Sequence, residues 1–541
     1  MVRLISSITA FLALLAPPPS AQVPCPQASV RPTDSAALAG AQFGTSLAVE
    51  GDRLAVGAGY DPAISIYRRV DRNWYLEHRV DYTGAGSSAL FGSALALKGG
   101  LLVTSTPHRP AFQRGRVQVY REEAESWVFD AELAGSGLRN SALFGVDVAT
   151  DGARVFAGAP GVFRGGGSKF DRGAVYVFED DGSGWSEVQR IEPSDPKNGD
   201  KFGSTVEVGM DVLFVGAPDV DQPGILDTGA VYVFQDGPAG FVETQKLEGS
   251  NLAQGSDFGR SIAFDGDTLL IGAPIHTTGG NFQMHYSEGA VYVYERRAGA
   301  WSQTQVLQAS DRAGGDRFGW DVAVEGARAV VSAPYRRGLT GALYVFAKGP
   351  QGWSEVDIVE RSEGWDDDRF GEAVALTGSL ALVGAPGGYA GGARGTPGAV
   401  EAFSLDRTGC RSLSAFPAQI AVSDGGTHVL TMDAGPRYAA HAYLVAGTGS
   451  GTSPGFSYGG VRVPLVRDAW FELSVSGGTP NLWTRNVGEL DARGQAVAWF
   501  RLPPLDEPSL VGLELNHALL VLGAKGDVAH VSNTTSLVLT R

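Results

Sequence analysis

Positive charge is scarce in this sequence, and the shortage excludes two classes of partner. Lysine and arginine number 43 against 59 aspartates and glutamates, which gives a formal net charge of −16. A nucleic acid partner requires a basic face for its phosphates, and an anionic membrane surface attracts basic segments. The charge balance therefore argues against nucleic acid binding and against adsorption to an anionic membrane.

The sequence also lacks a later apolar run of the ~20 residues that a membrane-spanning helix needs. An apolar run at 4–16 follows Arg3, meets three prolines at 17–19 and precedes small residues near Ala21. This order is typical of an export signal, with a buried helix as the alternative. We expect residues 1–21 to be removed. The remaining chain would then be secreted, periplasmic or at the cell surface, without membrane insertion.

Disorder and fibrous structure are excluded by composition. Charged residues make up 19 % of the chain and hydrophobic residues 43 %, and no G-X-Y period is present. Glycine accounts for 75 of 541 residues, about twice the usual ~7 %. Abundant glycine with modest charge suits short strands joined by tight turns. The length exceeds one compact core, so at least two domains are expected.

Four sequence marks recur in the same order along seven repeats, the first two in all seven and the other two in six. The first is Phe-Gly, beginning at Phe43, Phe91, Phe144, Phe202, Phe258, Phe318 and Phe370. The second, 13–14 residues later, is Gly-Ala-Pro or a degenerate copy, at 57–59, 105–107, 158–160, 216–218, 272–274, 332–334 and 384–386. The third is Gly-Ala-Val-Tyr-Val-Phe or a variant, clearest at 173–178, 229–234 and 289–294. The fourth is an aromatic after a turn, at Trp74, Trp127, Trp185, Phe241, Trp301 and Trp353.

Each repeat predicts four strands. In the fifth repeat these are 261–264, 268–272, 290–294 and 301–307, separated by turn residues. The third strand is apolar on both faces, as expected for a sheet packed between two neighbouring sheets. No 3.6-residue apolar period appears, which excludes helical repeats. Four-stranded units at this spacing indicate an all-β fold containing a β-propeller.

The Phe-Gly pairs, Gly-Ala-Pro triplets and Gly-Ala-Val-Tyr-Val-Phe strands resemble the FG-GAP repeats of the integrin α-subunit propeller and of many secreted bacterial proteins. The resemblance covers about residues 25–410, and the segment 310–319 is most similar to the bacterial branch. It implies a seven-bladed β-propeller of four-stranded blades. It is specific for the fold and weak for function.

The ring is expected to close with residues from the N-terminus. The seventh repeat loses its fourth strand near residues 407–409, whereas Ala28–Val30 resembles the end of a fourth strand. The only two cysteines, Cys25 and Cys410, flank this junction. An exported chain can oxidise them, so we predict a disulfide between them, with two unrelated buried thiols as the alternative.

Residues 411–541 carry no Phe-Gly mark and predict a separate domain. Their alternating segments indicate about seven strands, separated by turn signals such as those at 424–426 and 525–527. We expect a C-terminal β-sandwich.

The connections between the second and third strands are long, and they share one rim of the propeller with the connections from fourth to first strands. We call this rim the long-loop rim. Binding residues usually lie on long loops held by a rigid scaffold. The candidate ligand-binding residues are Phe282, His285, Tyr286, Trp365, Asp366, Asp367, Asp368 and Tyr389.

Calcium, other cofactors and catalysis are not expected. The turns between first and second strands hold at most two acids each, too few for the six to eight oxygens that Ca²⁺ takes. No catalytic motif is present, and the acids before Phe-Gly (Asp200, Asp257, Asp316 and Asp368) are best interpreted as acceptors of loop N–H groups. The sequence thus predicts a non-enzymatic binding or adhesion protein for an extracellular protein or glycan. The alternatives are a secreted carbohydrate-active enzyme and a structural cell-envelope component.

Overall fold

The computed structural model describes most of the repeat region and separate strands beyond it. The described residues are 25–30, 42–59, 63–70, 73–82, 90–107, 115–124, 126–138, 142–161, 172–209, 211–277, 287–360, 368–387, 398–405, 413–416, 419–421, 426–433, 440–448, 456–458, 461–463, 483–484, 487–490, 495–502, 514–522 and 528–540.

Seven four-stranded antiparallel sheets form the blades of a propeller, with strands numbered in chain order after β1 (Cys25–Val30). Blades 1 and 2 comprise β2 (Phe43–Glu50), β3 (Arg53–Ala58), β4 (Ala63–Val70), β5 (Asn73–Asp81), and β6 (Leu95–Lys98), β7 (Leu101–Thr106), β8 (Arg116–Glu123), β9 (Ser126–Leu133). Blades 3 and 4 comprise β10 (Val148–Thr150), β11 (Arg154–Ala159), β12 (Ala174–Asp180), β13 (Trp185–Ile191), and β14 (Thr205–Val208), β15 (Val212–Ala217), β16 (Ala230–Gly237), β17 (Gly240–Leu247). Blades 5, 6 and 7 comprise β18 (Ser261–Asp265), β19 (Thr268–Ala273), β20 (Ala290–Arg297), β21 (Ala300–Leu307); β22 (Val322–Glu325), β23 (Arg328–Ser332), β24 (Leu343–Gly349), β25 (Gly352–Val359); and β26 (Val374–Thr377), β27 (Leu380–Ala385), β28 (Ala399–Ser404) with β1.

The two middle strands of each blade form the core. In blade 4, every residue of β15 is buried and so are the first five of β16, whereas β17 carries exposed positions such as Val242. Both faces of the middle strands pack against neighbouring blades, so the buried residues of these strands are mostly apolar. The predicted four-strand division of each repeat is confirmed.

The Phe-Gly mark is a tight turn that leads into the innermost strand. In blade 4, the N–H of Ser204 donates to the carbonyl of Lys201 at 3.1 Å, which closes a four-residue turn around Phe202 and Gly203. Gly203 has φ of +87°, the conformation that the third position of a type II turn requires. The Phe202 side chain is fully buried. The other six Phe-Gly glycines also have positive φ, between +78° and +97°.

The glycines of the second and third marks face the Phe-Gly turn of the next blade. A Cβ placed on Gly158 would lie 2.1 Å from the Gly203 carbonyl oxygen, and one on Gly173 would lie 2.0 Å from the Phe202 carbonyl oxygen. The same contact joins Gly229 to Phe258 and Gly289 to Phe318. Three of the four sequence marks therefore build one structure, the backbone junction between consecutive blades, which we call the blade junction.

The N-terminal strand closes the ring, as the sequence predicts. β1 pairs antiparallel with β28 and supplies the outer strand of blade 7, with Val30 opposite Val400 and Cys25 opposite Ser404. Gly384 of blade 7 packs against Gly44 of blade 1 in the usual blade junction. Cys410 lies outside the described residues, so the disulfide stays a prediction.

Beyond the propeller, the described strands form three further sheets. A four-stranded sheet contains β29 (Leu413–Phe416), β31 (Gly426–Asp433), β37 (Gln495–Leu502) and β35 (Trp483–Thr484). A five-stranded sheet contains β30 (Gln419–Ala421), β39 (Val528–Thr540), β38 (Glu514–Leu522), β32 (Ala442–Thr448) and β36 (Val487–Glu489), and a hairpin joins β33 (Phe456–Tyr458) to β34 (Val461–Val463). The β-sandwich remains a prediction for this region.

Helical structure among the described residues is limited to one turn, α1 (Arg336–Leu339), in the connection from β23 to β24. It is too short to cross a membrane.

Candidate binding site at the channel mouth

The innermost strands of all seven blades line one axial cavity of about 640 Å³, the channel. The chain enters each of these strands from a Phe-Gly turn. These turns belong to the connections from fourth to first strands, so the residue directly after each Phe-Gly lies at the channel end that faces the long-loop rim. We call this end the channel mouth.

The seven residues after Phe-Gly form a ring at the channel mouth, the mouth ring. They differ in chemistry although the two residues before them are identical in every blade. The mouth ring consists of Thr45, Ser93, Val146, Ser204, Arg260, Trp320 and Glu372, and all seven line the channel. The charged and aromatic members are Arg260, Trp320 and Glu372, and they belong to blades 5, 6 and 7.

Two arginines and two aromatic rings pack together in this part of the mouth. The Arg260 guanidinium lies 4.7 Å from the centre of the Trp320 ring, and the Arg317 guanidinium lies 3.9 Å from the centre of the Tyr335 ring. The two ring centres are 5.1 Å apart with planes tilted by 59°. Stacking on an aromatic face holds a guanidinium in a fixed orientation and leaves its N–H edge free.

Within the described part of the chain, the guanidinium groups of Arg260 and Arg317 form no ion pair or hydrogen bond. Other arginines of the propeller are neutralised by carboxylates. Arg154 pairs with Asp151 and Asp236, and Arg336 pairs with Asp311 and Glu360. In a chain with net charge −16, two arginines without an ion-pair partner stand out as a local excess of donors.

Acids lie near these arginines without pairing with them. Glu372 Oε2 lies 3.3 Å from Arg369 Nη1 but outside hydrogen-bond geometry, and burial raises the pKa of Glu372 while Arg369, Arg260 and Arg317 oppose the shift. Burial raises the pKa of Asp257 to about 6, against the opposing effect of Arg260. Among the described residues, neither acid forms an ion pair or hydrogen bond with Arg260 or Arg317.

Three further carboxyls belong to the inner strands that line the channel. Burial raises the pKa of Glu207 to about 8, with a further contribution from Asp147. Burial also raises the pKa of Asp321 to about 7 and that of Asp147 to about 6, although both accept backbone hydrogen bonds that favour the ionised form.

The backbone bonds of Asp147 and Asp321 connect neighbouring blades. Asp147 Oδ2 accepts from the N–H of Val206 at 2.8 Å, and Asp321 Oδ2 accepts from the N–H of Val374 at 2.7 Å. Both aspartates stand second after Phe-Gly. At the same place in blades 1, 4 and 5, Ser46, Thr205 and Ser261 each donate to a carbonyl of the next blade. This position joins the blades, so the two aspartates have a structural role.

The opposite rim consists of short turns. The connections between first and second strands have two or three residues. Acids at the ends of two first strands bond the next blade: Asp265 accepts from the N–H of Gly326, and Glu325 accepts from the N–H of Gly378. No group of three or more His, Cys, Asp or Glu side chains is arranged to hold a metal ion among the residues described. The absence of calcium stays a prediction.

Most of the binding residues predicted from sequence lie outside the described residues. These are Phe282, His285, Tyr286, Trp365, Asp366, Asp367 and Tyr389. Asp368 is described and its residue is only 3 % exposed. It occupies the place where Asp200 and Asp316 accept a backbone N–H, from Lys197 and Ala313 respectively. For those two aspartates, the interpretation as loop acceptors is confirmed.

Sequence reasoning missed the arginine pair and the acids of the channel. An internal comparison of the seven repeats contained a usable signal, because the residue after Phe-Gly is the first position at which the repeats diverge. Tyr335 carried no such signal, since it belongs to a connection whose length varies between repeats. Asp257 directly precedes the Phe of its repeat, as Lys201, Arg317 and Arg369 do. The other acids lie two residues before Phe, so Asp257 is not equivalent to them.

Comparison with known proteins supports the repeat assignment. The family model described as FG-GAP repeat matches residues 185–234, 241–294, 301–346 and 353–400. A putative 6-phosphogluconolactonase from Bacteroides fragilis is similar in structure, with 12 % identity, a TM-score of 0.42, and coverage of 60 % of this chain and 84 % of that one. A search of curated proteins found no match. The matched segments run from the fourth strand of blade 3 into blade 7, so this part of the seven-bladed ring carries FG-GAP repeats.

Proposed function

We propose that this chain is an exported, non-enzymatic binding or adhesion protein that engages an extracellular ligand at the channel mouth. The mouth ring carries the proposal. Phe and Gly are the same in all seven blades, whereas the next residue is Thr, Ser, Val, Ser, Arg, Trp or Glu. A constant framework that presents a variable set of side chains on one rim is the organisation of a binding surface.

The chemistry of the ring supports recognition rather than a purely structural role. Trp320 is only partly buried, and Arg260 is exposed. Tryptophan and arginine are enriched among residues that contribute most to binding free energy, because they bury large areas and offer directional donors. A structural envelope component without a ligand has no need for such a cluster.

The test is an array of extracellular proteins and glycans probed with the chain that lacks residues 1–21. We expect at least one ligand, and Trp320→Ala should weaken its binding by ~1–3 kcal/mol, as for a typical hot-spot aromatic. Ser93→Ala changes the mouth ring on its far side, three blades from Trp320, and serves as the control. Equal binding by parent and Trp320→Ala chains would place the ligand site elsewhere.

A secreted carbohydrate-active enzyme is the second candidate, and one observation favours it. Glu207 is a channel-lining acid whose pKa burial raises to about 8, as a general acid at neutral pH requires. Against it, Asp147 and Asp321 hold inter-blade hydrogen bonds and are unsuited as its catalytic partners. Release of reducing ends from a polysaccharide panel, abolished by Glu207→Gln, would establish the enzyme instead.

A further inference from the structure

We infer that the channel mouth binds a protein segment that presents a carboxylate beside an apolar side chain, with the carboxylate held between Arg260 and Arg317. The inference rests on the proposed binding function and names the ligand chemistry of the same site. It starts from the two stacked guanidinium groups, which have no ion-pair partner among the described residues.

The guanidinium groups are suited to a carboxylate by orientation and by solvation. Trp320 is shared between them, at 4.7 Å from Arg260 and 5.7 Å from Arg317, so both cations are held on one aromatic pair. A guanidinium offers a planar fork of donors that matches the two oxygens of a carboxylate. Because the aromatic faces hold these forks in advance, less side-chain entropy is lost on binding.

A protein ligand is favoured by exposed apolar residues in a long loop on the same rim as the arginines. Ile225 and Leu226, in the long loop of blade 4, are 36 % and 55 % exposed. The Leu226 carbonyl accepts a hydrogen bond from the N–H of Gly255, five residues before Arg260, so this loop is attached to the segment that leads to the channel mouth. Exposed aliphatic side chains on the same rim as a carboxylate site suit a peptide with alternating acidic and apolar residues.

The shape of the site agrees with this occupant. Among the described residues, the channel is a hole on the propeller axis that is lined by the inner strands of all seven blades. A protruding acidic loop or chain end can enter a hole of this kind. An extended polysaccharide would need an open groove to lie in.

The probes are two fluorescent peptides, Glu-Leu-Glu-Leu-Glu and its counterpart with glutamine for glutamate, together with a uronic acid oligosaccharide as competitor. The variant combines Arg260→Ser with Arg317→Gln. Other blades already carry these residues at the equivalent places: Ser93 and Ser204 follow Phe-Gly, and Gln42 precedes it with the same φ of 57° as Arg317. Arg297→Gln removes a charge at the short-turn rim and is the control.

We expect the glutamate peptide to bind the parent chain and Arg297→Gln equally, and the double variant at least ten-fold more weakly. The glutamine peptide should bind the parent at least ten-fold more weakly than the glutamate peptide. Leu226→Ser should weaken the binding of the glutamate–leucine peptide and leave the binding of a glutamate–serine peptide unchanged. Unchanged melting temperatures show that the variants fold.

Equal affinity of parent and double variant for the glutamate peptide, including no binding by either, overturns the inference. Arginine-dependent binding of the uronic acid oligosaccharide in preference to the peptide also overturns it. If an array ligand binds the double variant as tightly as the parent, the proposed binding function holds but the ligand does not bind at Arg260 and Arg317. If the chain hydrolyses a polysaccharide and binds no ligand on the array, the proposed non-enzymatic binding function is wrong.

Discussion

The blade junction and the mouth ring are adjacent in sequence, but the first accepts only particular residue types and the second accepts many. Phe202 and Gly203 have counterparts of the same type in all seven blades, whereas Ser204, one residue later, has counterparts as different as Trp320 and Glu372. At the junction, backbone contacts leave no room for a Cβ. At the mouth, side chains face a cavity of about 640 Å³. Residue types therefore repeat between blades where the backbone contacts leave no space, and they differ between blades where the side chains face the channel.

The largest effect is expected from a methyl group inserted into the blade junction. In Gly173→Ala, the new Cβ would lie 2.0 Å from the Phe202 carbonyl oxygen at a φ of +76°. The left-handed conformation costs ~1–2 kcal/mol and overpacking ~1–3 kcal/mol, so unfolding free energy should fall by about 2–5 kcal/mol. Denaturant unfolding measures it.

Gly182→Ala is the matched control for that substitution. Gly182 has a φ of +87°, yet nothing lies within 4 Å of its added Cβ, so only the conformational cost applies. The pair separates backbone strain from lack of space. Similar losses in the two variants would show that the blade junction is not the reason for the repeated glycine.

The second-largest loss of unfolding free energy is expected in blade 7, which is assembled from both ends of the repeat region. β1 is held there by strand pairing with β28, and Cys25 lies opposite Ser404, six residues before Cys410 in the sequence. If the predicted disulfide forms, Cys25→Ser should lower unfolding free energy by ~2–4 kcal/mol.

Mass mapping of the unreduced chain tests the disulfide directly. A Cys25–Cys410 peptide is expected, and Cys410→Ser should destabilise as much as Cys25→Ser with no further loss in the double variant. Two free thiols would show that strand pairing alone closes the ring.

The fold was accessible from sequence because the blade junction leaves a signature of residue types. Phe must fill a buried turn position, and Gly158 and Gly173 must leave room for the next blade's backbone, so the marks recur in order. The binding residues were less accessible because the search followed long loops. The structure places Arg260 and Trp320 beside an invariant motif, at a position that only a comparison of repeats singles out.

The third effect concerns the hydrogen bonds between inner strands. Asp321 accepts from the N–H groups of Val374 and Val322 at 2.7 and 2.9 Å. Asp321→Ala leaves both donors without this acceptor and should cost ~1–3 kcal/mol. Asp321→Asn keeps an acceptor oxygen and should cost less, as thermal unfolding at pH 6 would show. Equal losses in the two variants would mean that the charge, rather than the hydrogen bonds, matters.

The last effect distinguishes the channel from the surface by its dependence on pH. Burial raises the pKa of Glu207 to about 8, whereas an unfolded glutamate titrates near ~4.3. Between these values the folded chain binds more protons than the unfolded chain, so this group lowers unfolding free energy as pH rises from about 5 to 8. Glu207→Gln cannot ionise, and its melting temperature should exceed the parent's by a few degrees at pH 8 and match it at pH 5. Glu123→Gln, at the exposed end of β8, should change the melting temperature neither at pH 8 nor at pH 5. The same pH dependence in parent and Glu207→Gln chains would show that Glu207 is ionised and solvated at neutral pH, and would remove the basis for a general acid in the channel.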